Sequence, residues 1–472
     1  MKNSYKTIEL LKKIYGEEFE KYFHSVKIKD KTFIRIRSKD IEEKIISSLT
    51  KKGFEFRKSL SVPIAYEILK GEEIIAKTIE YALGFYYLQN LSSMMPVVAL
   101  NPQPYEKILD LCAAPGSKTT AIAEAANFTG TIIANDYKMD RIKILAHSIE
   151  RLNCFNIGIT FSAGHLLTNH FANYFDKVLV DAPCSALGTF NRKSDESWYA
   201  DSSIEKLASE QYRLLLAGIE MAKPNGIIVY STCSFSIEEN EAIIEKALKK
   251  GNIEIEDINL PLTSDDGIIK VNDIIFDESI KKCKRILPWK SDAEGFFVAK
   301  LKKKDETPAL NAKDKISEKK ILIDYDEKLI KEIFKRIIDE FEINEQEFRQ
   351  FRYLPRKGVV YAVNKDFEVI DEKLFNRIGI PFAKYDKSMR AILHSNAAMI
   401  LSNKIKKNFF ELGNEKDLQT YLNGGIIRTE ENYKGAFAVK WKDYIVGVGL
   451  GIGDGIKSQF PKIKRSSEIT VF

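Results

Sequence analysis

The sequence predicts an α/β protein built on a mostly parallel sheet with helices on both faces. An α+β region precedes this sheet, and a small α+β unit and a compact β-rich unit follow it. Three observations carry the prediction. Apolar, strand-length runs alternate with helix-length amphipathic stretches from about position 105 to about 250, a pattern that requires right-handed βαβ crossovers. The 472 residues are 44% hydrophobic and 30% charged, ordinary for soluble globular domains and enough for two to four cores. Near position 300 a charged, proline-containing stretch ends the alternation.

Residues 1–90 read as helices and short strands. The opening "MKNSYKTIELLKKIYGEEFEKYF" has a helical rhythm and no signal-peptide core, "TFIRIRS" is a strand and "IEEKIISSLTKKG" a helix. The parallel unit occupies 91–303. In it, "KILDLCAAPGSKTTAIAEAAN" is a strand, a Gly/Pro turn and a helix, and "GTIIANDYKMDRIKILAHSIERLN" repeats the unit. "IGITFSA" and "FDKVLVDAPCS" are further strands. A helix from Ile204 to Ala222 leads to the strand "GIIVYSTCS" and the helix "EENEAIIEKALKK". The charged "LKKKDETPALNAKDKISEKK" contains the linker, placed at 304–320. "DEKLIKEIFKRIIDEFE" opens a small α+β unit at 321–384, and "GAFAVKWKDYIVGVGLGIG" has the hairpin spacing of a β-rich unit at 385–472.

Several function classes are disfavoured. No segment approaches the apolar length of a membrane span, so the expected location is the cytoplasm. Five cysteines (Cys112, Cys154, Cys184, Cys233, Cys283) without a CxxC pair argue against a disulfide framework and a zinc module, so no metal is expected. The 73 basic and 67 acidic residues leave a net charge of +6, too little to demonstrate nucleic-acid binding. The runs "KKCKRILPWK" and "KSQFPKIKR", the latter with Phe460, mix cations with apolar residues. Such runs are usually solvated faces and less often phosphate contacts. A monomer is expected.

Ligands of parallel sheets bind beyond the carboxyl ends of the strands. There "DLCAAPGSKTT" provides Asp110, a glycine-containing turn and Lys118 at a helix start, where backbone amides and partial positive charge face a ligand. Ser117 before Lys118 rules out a Walker A loop, and the stretch is not GxGxxG. Asp136, in "IIANDYK", stands 26 positions after Asp110, where a carboxylate can accept both ribose hydroxyls of a nucleoside. Together these features favour a nucleoside cofactor without a pyrophosphate. S-adenosylmethionine fits, with its carboxylate and ammonium at the turn and its ribose on Asp136.

Cys184 and Cys233 also end strands. A free cysteine is most often a small buried hydrophobe, but a thiolate is a strong nucleophile, and positive charge or a helix N-terminus increases its population. Cys233 precedes a helix expected to begin near Ser236, where "SIEE" resembles a capping box. C5 of cytosine becomes nucleophilic once a thiolate adds at C6, and the thiol leaves after a base removes the C5 proton. Asp181, in "DAPCS", can stabilise charge near N3 during addition. Two thiols thus suit one chemistry, with one adding and the other assisting release.

In this order, "DLCAAPGSKT", "DAPCSALGTF" and "YSTCSFSIEENE" resemble the RNA cytosine-5 methyltransferases of the Nol/Nop/Sun family, over a core from about Tyr81 to Lys303. The resemblance implies a Rossmann-like methyltransferase core in which Cys233 bonds to C6 and Cys184 promotes product release. It also implies an S-adenosylmethionine site lined by Cys112, Ala113, Ala114, Pro115, Gly116, Ser117, Lys118, Asp136 and Asp181, with Asp181 facing the cytosine as well. Two positions depart from the family. Ala186 replaces the glycine of PCSG, which is tolerable unless that position needs a positive φ. Ala163 and Gly164 stand where an adenine-contacting aspartate is expected, leaving adenine to backbone groups and apolar packing. Asn153, Cys154 and His165 read as ordinary loop or core residues. From Ile321 the chain resembles the extension of the bacterial 16S rRNA branch, a small α+β domain followed by a PUA-like RNA-binding domain, with 1–90 a further RNA-binding region. The implied partner is RNA, rRNA or the small ribosomal subunit. The alternatives are tRNA as substrate, or a non-catalytic RNA-binding assembly factor.

Overall fold

The computed structural model describes residues 9, 12–20, 31–188, 202–291, 293–306, 321–464 and 469–470. From 307 on, the expected linker lies outside the described residues, as do Thr189 and Phe190 of "DAPCSALGTF" and Arg465.

The central sheet uses the predicted strands: β1 (Lys107–Asp110), β2 (Thr131–Asp136), β3 (Ile157–Phe161), β4 (Phe175–Asp181) and β5 (Ala222–Thr232). Five more join it, among them β6 (Lys284–Ile286), β7 (Phe296–Lys303) and β8 (Phe375–Ile378). The spatial order is β6-β7-β5-β4-β1-β2-β3-β8, with β1 to β5 parallel. β6, β7 and β8 run antiparallel to their neighbours. The strand order reverses at β1, whose neighbours are β2 and β4, so the crevice of the sheet opens above the ends of these three strands.

Successive strand residues point to opposite faces. Leu109, Val178, Val180 and Ile228 therefore pack under α3 (Ser202–Met221) and α4 (Glu241–Leu248). Ile108, Leu179 and Val229 pack with Ile122 of α1 (Ser117–Ala125) and Leu145 of α2 (Met139–Arg151). Coverage on both faces explains why these strands read as unbroken apolar runs.

The N-terminal region folds as a four-stranded antiparallel sheet with the helix Glu42–Lys51. Its buried Arg35 donates to Glu124 Oε2 (2.7 Å), Thr120 Oγ1 (2.8 Å) and the Ser117 carbonyl (2.9 Å), fastening this sheet to α1. Beyond the linker, Lys328–Phe341 buries Ile330, Ile333, Phe334, Ile337 and Phe341 against a five-stranded sheet. The last strand of that sheet, Ala391–Leu393, runs past the expected boundary at 384. β8 comes from this part of the chain and extends the central sheet. Asn364 Nδ2 also donates to the Gly130 carbonyl (2.8 Å), and Arg377 pairs with Glu150. The β-rich end contains the predicted hairpin, Ile426–Trp441 with Tyr444–Ser458. It shares a core with the N-terminal sheet, in which Ile34, Phe54 and Tyr86 meet Val439, Val446 and Phe460.

The first basic run is paired throughout, and the second is buried in part, with Lys457 and Lys462 exposed. In "KKCKRILPWK" all five cations are paired: Lys281 with Glu278, Lys282 with Asp257, Lys284 with Asp266, Arg285 with Glu241 and Lys290 with Asp265. In "KSQFPKIKR", Phe460 and Lys464 are buried. Burial lowers the Lys464 ammonium to about 7, and it donates to Asn153 Oδ1 (3.4 Å).

Candidate active site

Three aspartates end the strands around the crevice: Asp110 on β1, Asp136 on β2 and Asp181 on β4. The Cys112–Lys118 turn joins β1 to α1. Gly116 has φ +105°, and a Cβ there would meet Ser148 Cβ at 3.0 Å and Leu145 Cδ1 at 3.2 Å, so the turn fits against α2 only as glycine. The turn is fixed by Ala113 N–H to the Asn135 carbonyl (2.8 Å), Ser148 Oγ to the Pro115 carbonyl (2.7 Å) and Thr119 Oγ1 to Asp110 Oδ2 (2.7 Å).

Two buried carboxylate oxygens in this crevice accept no hydrogen bond, Asp110 Oδ1 and Asp136 Oδ2. The other oxygen of Asp136 accepts from the Lys138 N–H (3.1 Å), and Arg141 Nη1 lies 3.3 Å from Oδ2 without hydrogen-bonding geometry. Orphaned buried acceptors require a partner. Two of them at adjacent strand ends beside a glycine turn fit the ammonium and hydroxyl groups of a nucleoside amino acid such as S-adenosylmethionine.

β4 and β5 are paired with Asp181 opposite Ser231. That register brings the loops beyond them together, and Cys184 Sγ lies 3.1 Å from Cys233 Sγ although 49 positions separate them. Asp181 accepts from Ser231 Oγ (2.7 Å) and pairs with Lys118 Nζ (2.7 Å). Lys118 also donates to Ser93 Oγ (3.1 Å) and lies 5.3 Å from the centroid of the Phe296 ring. Burial favours a neutral Lys118, but the Asp181 carboxylate outweighs it and holds the ammonium above its usual range, with Cys233 acting in the same direction. Cys184 is held well above the usual thiol range by its hydrogen bond with Cys233 and by burial, and burial also raises Cys112. Among the described residues no cluster of histidine, cysteine and carboxylate side chains could hold a metal ion.

One expectation needs correction, and the condition set for Ala186 is met. The helix after Cys233 begins at Glu241, not near Ser236. Ser236 Oγ donates to Glu238 (2.6 Å) rather than capping a helix, because Glu239 and Asn240 hold the intervening loop in a non-helical course. Among the described residues, Lys118 supplies a positive charge that interacts with Cys233. Ala186 does occupy the left-handed region, with φ +55°, so its methyl is strained where glycine would not be.

The other departure has a steric setting. Gly164 is buried, and a Cβ there would lie 2.7 Å from Leu214 Cδ2, while Ala163 is half-buried at the end of β3. Asn153 and Cys154 are core residues, and His165 is exposed. Sequence reading did not single out Glu239 and Gln211, which tie the two cysteine loops together. The acidic run "IEENE" gave no sign that two of its carboxylates, Glu239 and Glu241, turn inward.

Residues 97–302 match the family model described as 16S rRNA methyltransferase RsmB/F. The ribosomal RNA small subunit methyltransferase F of Vibrio parahaemolyticus is 31% identical over 407 residues, covering 82% of this chain and 81% of that protein. The tRNA (cytosine(49)-C(5))-methyltransferase of Pyrococcus abyssi is 36% identical over 285 residues, 57% of this chain and 87% of that protein. A crystal structure of a methyltransferase homolog from Pyrococcus horikoshii superposes with a TM-score of 0.56 at 29% identity, covering 63% of this chain and 99% of that one.

Proposed function

This chain belongs to the Nol/Nop/Sun family of RNA cytosine-C5 methyltransferases. On that premise we propose that it transfers the methyl group of S-adenosylmethionine to a cytosine of small-subunit rRNA, with Cys233 as nucleophile and Cys184 as the release residue. The observation that carries the reading is the pair of thiols, brought from separate strands to 3.1 Å at the crevice.

The cofactor supplies an electrophilic methyl group. Asp136 and the Cys112–Lys118 turn would hold it, with its donors meeting Asp110 Oδ1, which accepts no hydrogen bond, and Asp136 Oδ2, which faces Arg141. Lys118 places a positive charge in the electrostatic range of Cys233, the thiol that adds. The thiolate forms an Sγ–C6 bond, and the displaced electron pair passes toward N3 and C5. Asp181, fixed by Ser231 and Lys118, would face N3 as the acid that lends it a proton during addition and takes it back when the double bond re-forms. C5 then takes the methyl group. Cys184 accepts the C5 proton, the C5–C6 double bond re-forms and the Sγ–C6 bond breaks. Cys184 enters this step as its thiolate, its own proton having passed to water, and the upward shift of its pKa makes that thiolate a stronger base than an ordinary one.

The choice of rRNA is supported by the extent of the matches. The likeness to the Vibrio rRNA enzyme spans 82% of the chain, whereas that to the archaeal tRNA enzyme spans 57%. The N-terminal sheet and the parts beyond Ile321 would grip folded RNA by backbone and shape, presenting one unstacked cytosine to the thiols. We place the enzyme in the cytoplasm as a monomer. Among the described residues no helix is long and apolar enough to cross a membrane. Bisulfite mapping of rRNA and tRNA from cells with and without the gene tests the substrate. A methylated small-subunit cytosine that disappears with the gene is expected, and loss confined to tRNA would replace rRNA by tRNA.

A further inference from the structure

We propose that Glu239 is a positioning residue for this reaction: a single buried carboxylate that clamps the two cysteine loops together and places a fixed negative charge beside Cys184. The inference rests on the assignment of Cys184 and Cys233 as the reacting thiols. Glu239 is 0% exposed. Its Oε1 accepts from the Ser185 N–H (2.9 Å) and from Gln211 Nε2 (2.9 Å), and its Oε2 accepts from Ser185 Oγ (2.5 Å) and Ser234 Oγ (2.5 Å). Ser185 follows Cys184, and Ser234 follows Cys233, so one carboxylate binds the neighbour of each thiol. Gln211 Nε2 also donates to the Pro183 carbonyl (2.9 Å), adding α3 to the clamp, and Tyr230 OH donates to the Glu239 carbonyl (2.6 Å).

A carboxylate suits this brace because its two oxygens accept all four bonds, whereas serine or asparagine offers a single acceptor oxygen. Four hydrogen bonds satisfy it, and it acts on Cys184 in the direction that favours the protonated thiol. The groups that act on the Cys184 thiol are Cys233, Glu239 and the Ala186 N–H. Cys233 acts most strongly through its hydrogen bond, burial and the Glu239 charge act in the same direction, and the Ala186 N–H opposes them. Among the described residues, Tyr230, Asp181, Cys112 and Lys118 are further titratable groups of this site, and Lys118 is already paired with Asp181. Glu239 touches neither cofactor nor base; it acts through Cys184 and through the gap between the thiols.

The test uses the full-length protein and two readouts that need neither RNA nor cofactor. Alkylation of Cys184 by iodoacetamide, followed by mass spectrometry of its peptide across pH, reads the charge. The midpoint is expected to fall by at least about half a pH unit in E239Q and to stay near wild type in E239D. Closure of a Cys184–Cys233 disulfide by diamide, which takes up the two thiol hydrogens as it is reduced to the hydrazine, reads the clamp. S185A and S234A keep the Glu239 charge and are expected to slow closure several-fold. In methyl transfer, E239Q is expected to lower kcat with little change in KM for RNA. An unmoved alkylation midpoint in E239Q overturns the electrostatic role, and unchanged closure rates in both serine variants overturn the clamp. If E239Q does not fold, E239D and the serine variants decide: a lowered midpoint in folded E239D would refute the charge role. Absence of methylation by the wild type with both thiol readouts shifted would refute the functional reading instead.

Discussion

Asp110→Asn is expected to remove a pH dependence of stability that the wild type carries between about pH 4 and pH 7. Asp110 is buried, Thr119 donates to its Oδ2, and its Oδ1 has no partner. Burial, reinforced by Asp181, pushes its carboxyl up to about 7 against the usual 3.8, while Thr119 opposes the shift. In the unfolded chain the group ionises near 4, whereas the folded protein keeps the proton until about 7. The folded state therefore binds one more proton across this window, and stability falls as pH rises, by about 1.4 kcal/mol per pH unit and roughly 4 kcal/mol in all, then levels off. The substituted amide has no proton to lose. Urea unfolding at half-unit steps from pH 4.5 to 8, with the difference between variant and wild type as the readout, cancels the other titrating groups. The difference should grow in favour of the variant up to pH 7 and flatten beyond it. Parallel curves over the whole range would refute the reasoning.

Other consequences are tested more simply. Asp136→Ala should weaken S-adenosylmethionine by on the order of 2 kcal/mol, about 30-fold, the scale of a charge-assisted hydrogen bond; calorimetry showing unchanged affinity would move the cofactor elsewhere. Ala186→Gly should raise stability by about 0.5–1 kcal/mol by relieving a left-handed alanine, read as a higher urea midpoint at unchanged slope; an unchanged or lower midpoint would show no strain there. Lys440 and Lys442 line a cleft of about 560 Å³ between the N-terminal sheet and the β-rich end, together with Arg37, Lys44, Phe85 and Tyr444. Charge reversal of both lysines should weaken RNA binding and flatten its logarithmic salt dependence by about two; an equal slope would remove this cleft from the RNA path.

Much of the parallel core was legible because each strand is covered on both faces and each turn carries its own chemistry. The reach of the C-terminal part was not. β8 is four residues long, and nothing in "FNRI" announces that it will cap the edge of the central sheet. The partners of a cation are also invisible in one dimension. Arg285 and Lys464 sit in runs that resemble phosphate-binding faces, yet one is buried on Glu241 and the other against Asn153. At the site, motif spacing pointed to both cysteines and to Asp181, because strand ends fix where those residues lie. The origin of the charge near Cys233 was misread. The capping-box pattern at "SIEE" suggested a helix terminus, while long-range bonds of Glu239 and Asn240 delay the helix and leave Lys118 as a neighbouring cation among the described residues.

The division of labour between the thiols is the central claim, and trapping of the covalent adduct tests it most directly. Cys184→Ala, given RNA and S-adenosylmethionine, should add to C6, methylate and stall, accumulating a denaturation-resistant protein–RNA species on a gel. Cys233→Ala and the double variant should form none and transfer no methyl group. An adduct that accumulates in Cys233→Ala and is absent from Cys184→Ala would contradict the assignment and make Cys184 the nucleophile.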